Sequence, residues 1–186
     1  SLFAEEMHHV GEEIAETLAE RQHWRGDMLL QYQERQLWVS LAIAPIRDEK
    51  GDISNYVCAM QDISFIKESQ RKMEQLAYYD MLTGLANRAL LQEQLAQAVQ
   101  RATRWKTKVA VLFMDLDRFK SINDSLGHSV GDVLLRACAN RLREGVRLID
   151  TVARFGGDEF VLVIEGLDNT DSVIAPLAKV VSLFDH

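Results

Sequence analysis

Hydrophobic and polar positions change period several times along the chain. Residues 4–22 ("AEEMHHVGEEIAETLAERQ") mix charged and apolar residues at helical spacing, with Met7, Val10, Ile14 and Leu18 on one face. From residue 27 the period shortens to two. "DMLLQYQ" (27–33), "LWVSLAIAPI" (37–46) and "ISNYVCAMQDI" (53–63) read as strands, and "RDEKGD" (47–52) as the turn joining the last two. A helix followed by consecutive strands predicts an antiparallel meander. From Ser64 to Ala77 the spacing is helical again. Ile66, Met73 and Leu76 fall near a heptad seam, with Ser69 as its weak position. Such a helix either packs on its own domain or pairs with a copy from a second chain, and the pattern leaves both open.

"YYDMLTGLANRALLQEQLAQAVQRATRW" (78–105) opens with a turn around Gly84 and continues as a helix whose apolar face carries Leu91, Leu95, Ala98 and Val99. "KVAVLFMD" (108–115) is an apolar run ended by a carboxylate, the pattern of a buried central strand. Two helices follow, one around 118–125 and one from about 130 to 143, punctuated by Gly127. "DTVARF" and "EFVLVIE" read as strands around Gly156–Glu159. "DNTDSVIAPLAKVVSLF" starts with capping residues and ends as a helix, with Pro176 an awkward member. The order β-α-α-β-β-α behind a leading helix lacks regular βαβ alternation, so the fold class is α+β.

Composition narrows the function. The 186 residues are 47% hydrophobic and 26% charged, ordinary for a chain with a core. A net charge of −7 disfavours a broad grip on nucleic acid, and polyphosphate binding then needs a metal ion or a local basic cluster. Cys58 and Cys138 lack metal or redox spacing and read as small buried hydrophobes in a reducing compartment. No apolar run is long enough to span a bilayer. This favours a cytoplasmic location, with any membrane anchor outside the chain. The chain begins without Met and is expected to be a piece of a longer protein.

Candidate chemistry gathers in the second half. Asp115 ends a strand, with Asp117 two residues later, and Asp158 and Glu159 sit on a hairpin tip. Carboxylates from two strands meeting at one sheet edge make a hard oxygen site suited to Mg²⁺. Gly156 and Gly157 allow a tight turn and a close approach to the backbone. In "RFKSINDSLGHSVGD" (118–132), Lys120 can reach a phosphate and the adjacent backbone N–H groups open a short helix. Asn123 and Asp132 offer an amide and a carboxylate able to read a purine edge, and a carboxylate suits guanine N1–H and N2–H together. His128 adds a further contact. Taken singly, each of these residues is more often a cap, a turn former or a solvated loop residue.

Together, and in this order, they resemble a known family. "RFGGDEF" (154–160) is similar to the name-giving motif of the GGDEF family, the bacterial diguanylate cyclases. "YDMLTGLANR" (79–88) looks like that family's leading motif. "FMDLDRFKSINDSLGHSVGDVLL" (113–135) looks like its metal- and guanine-binding segment. "RLID" (147–150), five residues before GGDEF, looks like its RxxD product-inhibition site. The resemblance runs from about Tyr78 to the end. It implies a nucleotide-cyclase, palm-like sheet flanked by helices and truncated at the C-terminus, since the family's domain continues with a further strand and helix. Residues 1–63 more loosely resemble the end of a PAS sensor, through "WRGD" (24–27), "PIRDEKGDI" (45–53) and "QDIS" (61–64). The implied organisation is a partial PAS-like meander over 1–63, a signalling helix over 64–77 and a GGDEF domain over 78–186.

The resemblance also implies roles. Asp115, Asp158 and the Leu116 carbonyl would hold Mg²⁺ or Mn²⁺. Glu159 would be the general base or a ligand of a second metal, and Lys120 would stabilise phosphate charge. Asn123, His128 and Asp132 would bind the guanine nucleotide. Arg147 and Asp150 would hold cyclic di-GMP, the product and inhibitor. Asp80 and Arg88 would pair across the leading turn. The expected reaction condenses two GTP molecules in a homodimer, each chain holding one. The alternative is a silent receptor for cyclic di-GMP or GTP.

Overall fold

The computed structural model describes Ile14 and residues 16–18, 23–32 and 35–184. Of the helix expected over 4–22, Ile14 and residues 16–18 are helical and Leu18 is buried. The rest of that segment, with Met7 and Val10, lies outside the described residues. The chain divides into two compact units, Ser1–Arg71 and Lys72–His186.

In the first unit, β1 (Trp24–Tyr32), β2 (Arg35–Arg47) and β3 (Ile53–Asp62) form the expected antiparallel meander, in the order β1-β2-β3. The β2–β3 turn closes on Asp48, whose carboxylate accepts from Lys50 N and Asp52 N, both at 2.9 Å. Gly51 supplies the positive φ of +88° that an L side chain rarely adopts. β3 is exposed along its whole length. Cys58 sits on it and is therefore exposed, contrary to the buried role expected of both cysteines; Cys138 is buried. Burial pushes the Cys138 thiol up.

Helix α1 (Ser64–Tyr78) starts where the Asp62 carboxylate accepts from Ser64 N at 2.8 Å, which holds the Asp62 carboxyl below its usual range. No residue of α1 is buried, and Ile66, Met73 and Leu76 are all exposed.

The second unit opens with α2 (Arg88–Trp105), capped by Asn87 Oδ1 accepting from Ala89 N and Leu90 N. Then come β4 (Lys108–Asp115), α3 (Phe119–Leu126), α4 (His128–Gly145), β5 (Thr151–Gly156), β6 (Glu159–Leu167), a 3₁₀ turn (Asp171–Val173) and α5 (Ile174–Ser182). The antiparallel sheet has the order β4-β6-β5. Among the described residues β4, the strand expected to be central, pairs with β6 alone. β6, whose run from Phe160 to Glu165 is wholly buried, takes the centre, while β4 leaves Val111 and Phe113 exposed.

Two clusters clasp β6. On one side Ala86, Leu91 and Ala98 meet Ala153, Val161 and Val163. On the other, Phe119, Leu135, Cys138 and Leu142 meet Phe160, Leu162 and Ile164. Phe160 is fully buried, and its truncation to Ala would cost about 3–5 kcal/mol. Val99 is half exposed rather than part of the α2 core stripe, because one residue is a turn of about 100° from buried Ala98. The only charged residue buried among the described ones is Glu165, held by Arg101 Nε at 3.0 Å and Nη2 at 2.8 Å.

Candidate active site

The sheet register brings the carboxylates to one edge. Asp115, the last residue of β4, stands directly opposite Glu159, the first of β6. Between β5 and β6 the chain reverses through Gly157 and Asp158. Gly157 has φ +51°, and Asp158 is not among the described non-glycine residues with positive φ. That is the dihedral sign pattern of a type II′ turn. Asp115 and Glu159 are exposed and Asp158 is half-buried. A Cβ added at Gly156 or Gly157 would meet nothing within 4 Å, so the tip is open to an approaching ligand.

Among the described residues, no group of at least 3 His, Cys, Asp and Glu side chains is gathered closely enough to hold a metal ion unaided. The donors at the edge are hard oxygens: Asp115, Asp158, Glu159 and the Leu116 carbonyl. That carbonyl already accepts from Phe119 N at 3.0 Å and keeps a second lone pair. A few carboxylates with open positions suit Mg²⁺, which is commonly bound through one or two carboxylates plus substrate phosphates. The donor chemistry therefore fits a divalent cation shared with a nucleotide.

Beyond Asp115 the chain turns sharply at Arg118 (φ +60°) into α3, whose N-terminus no side chain caps. Lys120 lies exposed in its first turn. Asn123 faces α4, and a Cβ on Gly131 would clash with Asn123 Oδ1. Glycine at 131 thus lets the two helices approach with Asn123 between them. The Asn123 Oδ1 atom is buried and lacks any hydrogen-bond partner. A buried acceptor without a donor needs an explanation, and a bound base or a rotation of the amide would supply one. Asp132, next along α4, is half-buried, and His128 is exposed at its start.

Arg147 and Asp150 lie in the α4–β5 loop, beside cavities of about 420 and 200 Å³. The Asp150 carboxylate is engaged by the fold, accepting from Arg147 N and Glu165 N at 3.1 Å each. The Arg147 side chain is exposed in the larger cavity with Arg143, Tyr79 and Leu90.

The pairing expected between Asp80 and Arg88 is replaced. Asp80 binds Arg154, whose Nη1 lies 3.1 and 3.2 Å from its two oxygens, and Arg88 stacks 4.7 Å over the Phe155 ring. Asp80 also accepts from Thr83 N at 2.9 Å and Thr83 Oγ1 at 2.6 Å. Burial works to raise the Asp80 carboxyl, but the Thr83 bonds and the Arg154 guanidinium outweigh it and hold it below the usual range. Neither Arg154 nor Gly131 stands out as a site residue from the sequence alone. The arginine stands inside the quoted "RFGGDEF" and the glycine inside "GHSVGD", but only the fold shows what each one meets.

An antiparallel sheet flanked by helices, with carboxylates at a strand end and across a hairpin tip, is the architecture of a palm-like nucleotidyl cyclase. Residues 77–183 match the family described as diguanylate cyclase, GGDEF domain, and the chain belongs to that family. It is 51% identical over 107 residues to the bifunctional diguanylate cyclase/cyclic di-GMP phosphodiesterase MucR of Pseudomonas aeruginosa, covering 58% of this chain and 16% of MucR. The solved GGDEF domain of TpbB from Pseudomonas aeruginosa superimposes with a TM-score of 0.56 at 38% identity, covering 59% of this chain and 63% of that one. The coiled coil and GGDEF domain of DgcB from Caulobacter crescentus, in complex with c-di-GMP, gives 0.57 at 27% identity, covering 63% and 61%. The chain spans less than a third of the length of the curated relatives MucR, DgcE and TpbB. No helix among the described residues is long and apolar enough to cross a membrane.

Proposed function

We propose that this chain carries the catalytic half-site of a diguanylate cyclase that condenses two GTP into cyclic di-GMP and two pyrophosphates. The observation that carries this reading is the Asp115–Glu159 register pair beside the Gly157–Asp158 turn. Asp115, Asp158 and the Leu116 carbonyl would hold Mg²⁺ or Mn²⁺. When bound there, the cation supplies charge neutralisation at the phosphates and acidifies a hydroxyl. Lys120, in the uncapped first turn of α3, receives phosphate oxygens. Asn123 and Asp132 take the guanine edge, and His128 borders it. Glu159 accepts the proton of the 3′-hydroxyl as its oxygen bonds to the α-phosphorus of the other GTP. The bond from that phosphorus to the pyrophosphate oxygen breaks, and pyrophosphate departs. Two such steps close the ring.

One chain presents one such edge, so two chains face each other. The exposed Ile66, Met73 and Leu76 stripe of α1 supports pairing of that helix between chains. Residues 1–63 act as a PAS-like input, α1 as the connector and 78–186 as the GGDEF domain, in the cytoplasm. Arg147, with Asp150 shaping its loop, holds accumulated cyclic di-GMP. The full-length protein incubated with GTP and Mg²⁺ tests the reading, with cyclic di-GMP as the expected product. If no cyclic dinucleotide forms while cyclic di-GMP binds tightly and Arg147→Ala abolishes that binding, the protein is a receptor rather than an enzyme.

A further inference from the structure

The tip that carries Asp158 has little to hold it. Gly156 and Gly157 offer no side chains to pack, and the β5–β6 register is irregular between Arg154 and Gly156. One side chain takes over. Arg154 Nε and Nη2 both donate to the Gly157 carbonyl, at 2.9 and 2.6 Å. That carbonyl belongs to the peptide unit leading into Asp158, so fixing it fixes the plane from which Asp158 departs.

The remaining arm of the same guanidinium grips Asp80, which is itself pinned by Thr83. The Arg154 side chain is 13% exposed, and its bonds to Asp80 are partly shielded from water while those to the Gly157 carbonyl lie at the surface. Arg154 N also donates to Ala86 O at 2.9 Å, and Asn87 ties this loop to the end of α1 through Ala77 O at 2.8 Å. The catalytic tip is thereby fastened, through one arginine, to the loop that follows α1.

We propose that Arg154 is a positioning residue that sets the Asp158–Glu159 tip by bridging the Gly157 carbonyl to Asp80. The proposal rests on the cyclase reading for its kinetic consequence. A lysine cannot reproduce the bridge, since one ammonium lacks the planar fork that serves both partners.

The test compares wild-type full-length protein with Arg154→Lys and Asp80→Asn. Melting curves check the fold, and GTP kinetics give kcat and KM. Mn²⁺ binding is followed by electron paramagnetic resonance with a non-hydrolysable GTP analogue, and amide exchange is followed across residues 154–160. Arg154→Lys is expected to keep a cooperative melt and a KM within about twofold. Its kcat falls about tenfold to a hundredfold, as when a positioned group is displaced by about 1 Å. The Mn²⁺ midpoint rises, and the tip amides exchange faster. Asp80→Asn moves each readout the same way by less.

Unchanged kcat and Mn²⁺ midpoint in Arg154→Lys overturn the proposal, as does a parallel loss of kcat, KM and melting temperature. Should Arg154→Lys fail to fold, Asp80→Asn decides by the same criteria. If wild type makes no cyclic di-GMP, the cyclase reading falls. The Mn²⁺ and exchange arms then still decide the role of Arg154, and no change in either overturns it.

Discussion

Gly131→Ala separates nucleotide recognition from stability at one position. The added Cβ would clash with Asn123 Oδ1, and would lie 3.0 Å from Asn123 Cγ and 3.1 Å from Phe119 Cζ. Phe119 needs to give by only a few tenths of an ångström, but Asn123 must swing away. In the free protein this breaks no bond to Oδ1, because that oxygen has none. Alanine in place of an interior helical glycine gains about 1 kcal/mol. Overpacking costs about 1–3 kcal/mol. The net loss is therefore about 0–2 kcal/mol, a fall in Tm of no more than about 10 °C. Nucleotide binding has no such compensation. Losing one hydrogen bond to the base, worth about 1.5 kcal/mol, raises the KM for GTP about tenfold. Melting curves and initial rates against GTP concentration, on the full-length protein, measure both. Wild-type KM with intact guanine selectivity would refute the placement of Asn123 at the base. A loss beyond about 3 kcal/mol would show that the α3–α4 contact cannot yield as supposed.

The meander and the β-α-α-β-β-α order were legible because each rests on local periodicity and turn residues, as at Gly51 and Gly127. The carboxylate edge was legible in outline: a strand ending in Asp115 and a tight turn before Glu159 constrain each other once the strands pair. What stayed hidden depends on partners distant in sequence. That β6 is the strand of its sheet paired on both sides among the described ones, with β4 and with β5, follows from pairing that no local pattern reveals. Asp80 and Arg88 are neighbours in sequence and invite pairing, yet Arg154, 74 residues away, satisfies Asp80. Arg88 instead finds an aromatic face. Cys58 looked like a core residue because cysteine is usually buried, but β3 buries none of its residues.

Asp115→Asn is expected to abolish turnover and weaken cation-dependent GTP binding, with stability unchanged to within about 0.5 kcal/mol because the side chain is exposed; wild-type turnover in a product assay would exclude it as a ligand. Arg147→Ala should leave the initial rate intact and remove inhibition by added cyclic di-GMP, read from progress curves. Ile66→Glu combined with Met73→Glu should shift the full-length protein toward monomer by light scattering and lower the activity per chain at low concentration. Acid should unpick the Asp80–Arg154 bridge. The Asp80 carboxyl lies below its ordinary value of 3.8 in the folded chain, so the unfolded chain binds this proton more readily. Its stabilisation is full above about pH 4 and drains away as the pH falls through the lowered folded value. Asparagine at 80 has no proton to take up, so the Tm gap between wild type and Asp80→Asn should shrink as the pH drops from about 6 to 3. A gap that stays constant over that range would mean that Asp80 stabilises the loop through its shape and hydrogen bonds alone, and not through its charge.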